Sequence, residues 1–215
     1  MSITLIIIIF TGLISYQCFE NRDLSRKLHH SPYIETRNKE WHRLLTSGFI
    51  HGSWTHLMIN MFVLYFFGES VEYRFTVHFQ EYGLYAGKIV FVLLYVLSIV
   101  AANTFTYFKH KDNHTFASLG ASGAVSAILF AHVIFDPWGC LYLYFIIPLN
   151  GIIAAILYVV YSQWASKNRR DHVDHDAHLW GAIFGVVFTL AMSPKIFNIF
   201  MEKLMDPQIC LPPGF

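Results

Sequence analysis

Residues 115–135 read TFASLGASGAVSAILFAHVIF, and this run contains no aspartate, glutamate, lysine or arginine. A helix that crosses a bilayer needs about 20 mostly apolar residues, so the run is long enough to be a membrane span. It begins with small and polar residues, and polar residues at membrane depth are expensive and therefore functional candidates. The stretch predicts a transmembrane helix whose first turns carry a candidate site.

Further charge-free runs of similar length predict five more spans. We therefore expect an all-α polytopic membrane protein, a six-helix bundle that forms a single domain over residues 1–215. The first run lacks the basic region and small-residue cleavage site of a signal peptide, so we expect it to remain as a span. The helices are predicted near residues 2–19, 48–68, 89–108, 117–135, 141–163 and 177–194.

The composition excludes several classes of protein. Hydrophobic residues make up 55% of the chain and charged residues 13%, with a mean hydropathy of +0.44, whereas soluble domains have about 25% charged residues. The apolar content is also too high for a disordered chain. A net charge of +1 provides no basic surface for nucleic acid. The lipid bilayer is the expected environment, and no nucleic-acid partner is expected.

The segments outside the spans give weaker signals. The first loop, residues 20–43, mixes basic and aromatic residues, which is typical of an interfacial segment at lipid headgroups; a solvated loop is the alternative. We expect the C-terminal tail, residues 195–215, to be irregular. Three cysteines that lie far apart indicate neither a disulfide framework nor a zinc site, and each is interpreted as a small apolar residue.

Polar clusters mark the starts of the second, fourth and sixth predicted helices, which lie on one face of a six-span bundle. His56 and Asn60 are four residues apart and share a helix face. Ser122 lies in the small-residue run near the start of the fourth helix, and His178 stands near the start of the sixth. A hydroxyl, an imidazole and further hydrogen-bond donors at one depth are the groups that nucleophilic acyl transfer requires.

A glycine stripe accompanies His178, since Gly181 and Gly185 follow it by three and seven residues. Glycines allow two membrane helices to approach closely, so the sixth helix could bring His178 to Ser122. Each cluster alone is also typical of helix packing or of hydrogen bonds between helices. All three clusters are predicted on the same side of the membrane and at a similar depth, and this favours a functional site over these alternatives.

Taken together, these motifs resemble the rhomboid family of intramembrane serine proteases, from about residue 41 to about residue 185. The resemblance rests on the order and separate helix placement of three patterns. They are His51, His56 and Asn60 in the second helix, Gly120-Ala121-Ser122-Gly123 in the fourth, and Ala177 and His178 with Gly181 and Gly185 in the sixth.

The resemblance implies a role for each of these residues. Ser122 would be the nucleophile and His178 the general base of a two-residue catalytic unit, with no metal or cofactor. His56, Asn60 and the backbone N–H of Ser122 would bind the oxyanion, and His51 would have a structural or hydrating role. The implied activity is that of an intramembrane serine endopeptidase, which cleaves transmembrane segments of membrane proteins. Gly120, Gly123, Gly181 and Gly185 would support the site.

The sequence departs from the family pattern at Ser126, where many members have a tyrosine that stacks on the catalytic imidazole. Ser126 follows Ser122 by one turn, and its hydroxyl can bond to the carbonyl four residues earlier. We therefore expect Ser126→Ala to keep most activity and Ser126→Tyr to be tolerated. The first-loop signature is kept in part as Trp41-His42-Arg43.

Two other functions remain open. The chain has 12 histidines, and a His-rich membrane metalloprotein could use the group His172, Asp174, His175, Asp176 and His178, although His-Glu-x-x-His is absent. A catalytically inactive rhomboid-like scaffold that binds transmembrane helices is the second alternative. The sequence carries no signal for an oligomeric state.

The sequence gives opposing signals for orientation. The resemblance implies a bacterial inner membrane, both termini inside, and a site that opens to the extracytoplasmic side. In that orientation the inner face carries Arg74, Lys88, Lys195 and Lys203, which leaves the outer face with 11 of the 15 basic residues. The positive-inside rule favours the reverse. We follow the resemblance, because six of those basic residues lie in the loop predicted to be interfacial.

Overall fold

The computed structural model describes residues 2–143, 147–168, 173–208 and 210. These residues form ten α-helices and one antiparallel β-hairpin, with 3₁₀ turns at Ser47–Phe49 and Gln80–Tyr82. The hairpin joins β1 (Cys140–Leu143) to β2 (Ile147–Asn150). The helices are α1 (Ile3–Glu20), α2 (Arg22–Leu28), α3 (Pro32–Asn38), α4 (Arg43–Thr46), α5 (Trp54–His78), α6 (Ala86–His110), α7 (Ser122–Phe135), α8 (Gly151–Asn168), α9 (His175–Ala191) and α10 (Pro194–Leu204).

Helix α7 forms the centre of the fold, because it packs against α5, α6 and α9. Most of its side chains are buried, which fits a sequence rich in alanine, valine and isoleucine. Around it lie large buried side chains of α5 and α6, among them Leu64, Phe75, Phe91 and Tyr95. The mostly helical architecture that the sequence predicts is therefore confirmed, with a hairpin in addition.

When the described helices are judged by length and composition alone, fewer of them qualify as membrane spans than the six that the sequence suggests. Helices α1 and α6 are long and apolar enough to cross a bilayer, and α7 is a shorter apolar helix. Helices α9 and α10 qualify only as a pair, which is bent by 110° at its joint. Two to three spans follow from this criterion, and the count of six stays a prediction.

Helix α5 differs from its predicted bounds, 48–68, at both ends. It begins later because residues 47–49 form a 3₁₀ turn, and the hydroxyl of Ser53 then caps the helix by accepting from the N–H of His56 at 3.2 Å. It continues to His78 because the carboxylate of Glu72 is bound inside the protein. A search for charge-free runs stops at such charges, even when the fold satisfies them.

The fifth predicted span, 141–163, contains the largest difference. Its first part is the hairpin, and α8 begins only at Gly151. Pro148, which was expected inside a helix, lies in β2, a strand paired on one side only; proline is tolerated in edge strands because it lacks an N–H to donate.

A disulfide joins Cys140 of β1 to Cys210, with their Cα atoms 5.3 Å apart. The interpretation of the cysteines as simple apolar residues is therefore wrong for these two, whereas Cys18 is free and buried. The two partners are 70 residues apart in the sequence, and this spacing carries no signal for pairing.

The tail is helical over α10, so its prediction as an irregular segment is wrong for Pro194–Leu204. Ser193 caps this helix by accepting from the N–H of Lys195 at 3.2 Å, and Pro194 occupies its first turn, where its missing N–H costs nothing. The ammonium group of Lys203 donates to the carbonyl oxygen of Phe135 at 2.7 Å. Helix α10 therefore lies at the C-terminal end of α7, and residues 209 and 211–215 are outside the described chain.

The first loop is folded against the bundle over α2 and α3. His30 and Glu35 are fully buried and lie 2.7 Å apart. The buried guanidinium group of Arg43 donates to the carbonyl oxygens of Arg26 and His29 at 2.6 Å and 3.0 Å. These contacts fix the loop near the start of α7, where the candidate site lies.

Candidate functional site

The segment before α7 is held from three sides. Ser118 exchanges two backbone hydrogen bonds of 3.0 Å with His30, and the N–H of Gly120 donates to the carbonyl of Ser47 at 2.9 Å. Helix α7 then begins at Ser122, after Ala121 as its N-cap. Because alanine has no side-chain acceptor, the N–H groups of the first turn are left for a ligand, and the helix dipole favours negative charge there.

His51 links this segment to α1. Its Nε2 atom lies 3.4 Å from the backbone N of Ala121, and its Nδ1 atom lies 3.0 Å from the hydroxyl of Ser15. The Ser15 hydroxyl donates in turn to the carbonyl of Phe49 at 3.2 Å. Since an amide can only donate, Nε2 must accept and Nδ1 must carry the proton. The neutral His51 imidazole therefore bonds to the peptide next to Ser122, and its structural or hydrating role stays a prediction.

His56 lies against Gly120, two residues before Ser122. A Cβ atom at Gly120 would be 2.6 Å from Cε1 and 2.9 Å from Nε2 of His56, and Gly120 has φ +129°. Only glycine adopts this conformation readily, so the close approach of the imidazole depends on it. The structure thus brings His56 to the start of α7.

Asn60 follows His56 on the same face of α5 and is buried. Its side-chain Nδ2 donates to the carbonyl of His56 at 2.9 Å. An amide group has two N–H donors. One of them anchors the Asn60 side chain in this bond, and the second can donate to another acceptor. Asn60 is thus joined to His56 by a hydrogen bond within α5.

Helices α7 and α9 touch through their backbones. A Cβ atom at Gly181 would lie 2.1 Å from the carbonyl oxygen of Gly123, and one at Gly185 would lie 2.4 Å from that of Ala127. At Gly123 a Cβ would lie 3.3 Å from the carbonyl oxygen of Ala177. The first turn of α7, with Ser122, therefore faces the first turn of α9, with His178.

The acidic residues at the start of α9 have structural partners. Asp174 caps the helix by accepting from the N–H of Ala177 at 2.9 Å. Asp176 accepts from the hydroxyl of Ser166 at 2.6 Å and forms an ion pair with Lys109. Both carboxylates thus fix the position of the turn that carries His178.

A small cavity opens beside Ser122. Asn103, Ser118, Gly120 and Asp174 are among its lining residues, and the space for the centre of a water molecule is about 20 Å³. A space of this size holds roughly one water molecule. A polar cavity next to a hydroxyl is a suitable position for a reacting or relaying water.

Sequence reasoning missed Tyr158 of α8. Its ring stacks on the imidazole of His178 with a centroid distance of 6.5 Å and an angle of 21°. The sequence positions of the aromatic residues within α8 do not distinguish this tyrosine from the others. Ser15 was missed too, although a polar residue within an apolar run is the kind of signal that marks it.

Ser126 behaves as the sequence predicts. Its hydroxyl donates to the carbonyl oxygen of Ser122 at 2.8 Å, and it lies 2.5 Å from the hydroxyl of Tyr158. Ser126 is buried, with 4% of its surface exposed. Its hydroxyl is thus part of a hydrogen-bonded chain one turn deeper than Ser122.

The donor set does not favour a metal. Across the part of the chain that the structure describes, no three His, Cys, Asp or Glu side chains are placed to share an ion. Asp174 and Asp176 act as helix cap and ion-pair partner, and His172 lies outside the described residues.

Comparisons with known proteins find similar chains in plants and yeast. The chain is 31% identical over 150 residues to "RHOMBOID-like protein 12, mitochondrial" of Arabidopsis thaliana, a match over 68% of this chain and 45% of that protein. It is 27% identical over 175 residues to "Rhomboid-like protein 11, chloroplastic" of the same plant, over 76% of this chain and 56% of that one. "Rhomboid protein 1, mitochondrial" of Saccharomyces cerevisiae is 28% identical over 157 residues, which cover 71% and 42% of the two chains.

The chain spans about half the length of these curated relatives. Their names place those proteins in mitochondria and chloroplasts, and they lend no support to the expectation of a bacterial inner membrane. The family model described as Rhomboid domain matches residues 38–195, a range that includes every candidate site residue. With this match and with apolar helices long enough to cross a bilayer, the chain is an integral membrane protein of the rhomboid family.

Proposed function

We propose that this protein is an intramembrane serine endopeptidase that cleaves transmembrane segments of membrane proteins. The observation that carries the proposal is the backbone contact between Gly181 of α9 and Gly123 of α7. This contact sets the turn of His178 against the turn of Ser122, so that a hydroxyl and an imidazole can act as one unit. A serine hydroxyl is a weak nucleophile until such a base accepts its proton.

In the proposed reaction, Ser122 Oγ attacks the carbonyl carbon of the scissile peptide while its proton passes to His178. The tetrahedral intermediate carries its negative charge beside the backbone N–H of Ser122, with His56 and Asn60 as further donors. One such donor can be worth about 3 kcal/mol of transition-state stabilisation. The C–N bond then breaks as His178 returns the proton to the leaving amine, and an acyl-enzyme remains on Ser122.

Water completes the cycle. A water molecule attacks the acyl carbon, His178 accepts its proton, and the C–O bond to Ser122 breaks as the proton returns to Oγ. The cavity beside Ser122 provides a position for this water. Because the amide of a helical substrate is hidden by its own hydrogen bonds, we expect the substrate to present an extended stretch of its transmembrane segment to the site.

The six-span arrangement and the orientation also belong to the proposal. Glu72 of α5 binds the start of α1, and α10 contacts the end of α7, so the start of α1 and helix α10 lie at the end of the bundle opposite Ser122. We propose that this end faces inside and that the site opens to the extracytoplasmic side. Arg43 of the first loop donates to a backbone carbonyl oxygen of the same loop. This basic residue therefore has a structural role that does not depend on membrane orientation.

The decisive experiment is labelling of the purified full chain in detergent with a fluorophosphonate probe. We expect the wild type to be labelled and Ser122→Ala to be unlabelled, with Ser126→Ala as the matched control because it removes a serine one turn away. His178→Ala should lose labelling while the protein stays folded. A folded wild type that binds transmembrane peptides without labelling or cleavage would favour the scaffold.

A further inference from the structure

We propose that Tyr158 of α8 is the positioning residue for the imidazole of His178. The inference rests on the proposed function, because it takes His178 as the general base. The ring of Tyr158 lies over the imidazole with centroids 6.5 Å apart and planes within 21°, inside the range in which aromatic rings attract each other. A ring face at this place restricts rotation of the imidazole about its Cβ–Cγ bond.

The hydroxyl of Tyr158 anchors the ring to the other catalytic residue. Ser126 Oγ lies 2.5 Å from this hydroxyl and donates its single hydrogen to the carbonyl of Ser122 at 2.8 Å. Tyr158 must therefore donate to Ser126. The chain of bonds runs from Tyr158 through Ser126 to Ser122, so one side chain contacts the base through its ring and the nucleophile's backbone through its hydroxyl.

The surroundings keep the ring in place. Phe130 of α7 packs edge-on against Tyr158 at 5.5 Å, and the small Ser126 leaves the space that the Tyr158 hydroxyl occupies. The family resemblance implies that many members have a tyrosine at the position of Ser126. In this chain a stacked ring comes to His178 from a different helix, α8, while the titratable ring of His175 on α9 itself lies edge-on to His178 with centroids 6.0 Å apart.

The test compares the rate and pH dependence of fluorophosphonate labelling in variants of the full chain. Tyr158→Phe keeps the ring and removes the hydroxyl, whereas Tyr158→Leu removes the ring. We expect Tyr158→Leu to label about fivefold more slowly, the fold-change that corresponds to about 1 kcal/mol. Its pH–rate profile should also shift, because the environment of the His178 imidazole changes. Tyr158→Phe should stay within about twofold of wild type, as the loss of one hydrogen bond to a serine is smaller.

Two further variants separate positioning from general damage. Tyr161→Leu removes a tyrosine of the same helix that packs against His175 at 5.9 Å. Because its effect reaches His178 only through His175, whose ring is 6.0 Å from that of His178, it should shift the pH profile less than Tyr158→Leu does. The double variant Tyr158→Leu with Ser126→Tyr places a ring on α7 instead of α8, and it should recover most of the lost rate.

The outcomes are distinguishable from a failure of the proposed function. If the wild type is not labelled at Ser122, the protease proposal fails before Tyr158 is tested. If the wild type is labelled but Tyr158→Leu and Tyr161→Leu lose rate equally with unchanged pH profiles, Tyr158 has only a structural role and the inference is overturned. Equal losses of labelling rate in Tyr158→Leu and Tyr158→Phe would also overturn it, because the effect would then come from the hydroxyl and not from the ring.

Discussion

The carboxylate of Glu72 accepts two hydrogen bonds from Thr4, one from its backbone N–H at 2.8 Å and one from its hydroxyl at 2.9 Å. A third bond comes from the N–H of Ile3 at 2.9 Å. Both amides belong to the first turn of α1, where the helix dipole favours a negative charge. Helix α5 thus holds α1 by one buried charge, which explains why a glutamate persists within an otherwise apolar contact.

We therefore predict that Glu72→Gln destabilises the protein by about 2 kcal/mol, since hydrogen bonds to a charged group are the stronger ones. For a chain of this size the apparent Tm should fall by roughly 4–8 °C. Thermal unfolding of the purified protein in detergent measures this. Glu81→Gln is the control, because Glu81 forms an exposed pair with Lys195 at 3.1 Å and such pairs contribute little. Equal Tm values for the two variants would contradict the role of Glu72.

Gly120→Ala should abolish labelling of Ser122. The new Cβ would require both a strained backbone and displacement of the His56 ring, which it would approach to 2.6 Å. Gly83→Ala is a matched control, because Gly83 has a similar φ of +127° with no atom within 4 Å of its Cβ position. Each substitution carries a backbone cost of about 1–3 kcal/mol. Loss of labelling in both variants would show that backbone strain alone, and not His56, is responsible.

Gly181→Ala should separate α7 from α9, because its Cβ would lie 2.1 Å from the carbonyl oxygen of Gly123. We expect a destabilisation of about 1–3 kcal/mol from overpacking and a larger loss in labelling rate than in stability. Gly12→Ala adds the same methyl group to α1, where no atom lies within 4 Å. That control should be stable and fully labelled. A Gly181→Ala protein that labels at the wild-type rate would argue against the role of the helix contact.

Ser126→Ala should keep most activity and all fluorophosphonate labelling, because its hydroxyl bonds to the carbonyl of Ser122 and not to a reacting atom. For Ser126→Tyr the structure changes the expectation that the sequence suggests. The Tyr158 hydroxyl lies 2.5 Å from Ser126 Oγ, so a second ring meets the first. The single variant should therefore lose activity. Turnover of a transmembrane substrate in liposomes measures the activity of both Ser126 variants. Labelling that persists in Ser122→Ala but disappears in Ser126→Ala would reverse the assignment of the nucleophile.

A reporter fused to the C-terminus tests the orientation, and we expect it to read as inside. Two observations favour the opposite result, so the experiment has discriminating power. In the proposed six-span arrangement, 11 of the 15 basic residues of the sequence fall on the face of the site. The Cys140–Cys210 disulfide follows the C-terminal end of α7, on the other face, whereas cytosolic thiols are normally kept reduced. A C-terminal reporter that reads as extracytoplasmic would contradict the proposed orientation.

The sequence predicted the features that depend on polar groups at the starts of apolar helices. His56, Ser122 and His178 stand out there because polar residues are rare at membrane depth. The end of α5 was not predictable in the same way, since Glu69 and Glu72 look like the end of a span until their partners at the start of α1, Ser2 and Thr4, are known. The hairpin before α8 was hidden for a similar reason, because its apolar residues fit a strand as well as a helix.

The position of Tyr158 shows a further limit of reading one sequence. Ser126 stands where many members of the family have a tyrosine that stacks on the catalytic imidazole, so the sequence does not show how the imidazole of His178 is oriented. A neighbour from another helix can be found only once the packing of α8 on α9 is known. Contacts between distant segments leave no local pattern in either segment.

The glycine contact between α7 and α9 also predicts which amino-acid substitutions in this chain would abolish proteolysis. Gly181 and Gly185 present no side chain to a substrate, yet any larger residue there would move the helix that carries His178. A random-mutagenesis screen for lost proteolysis should therefore recover these glycines as often as the two reacting residues. Because the facing atoms are backbone atoms of Gly123 and Ala127, no smaller side chain on α7 can restore the spacing, and second-site revertants should be absent from that surface.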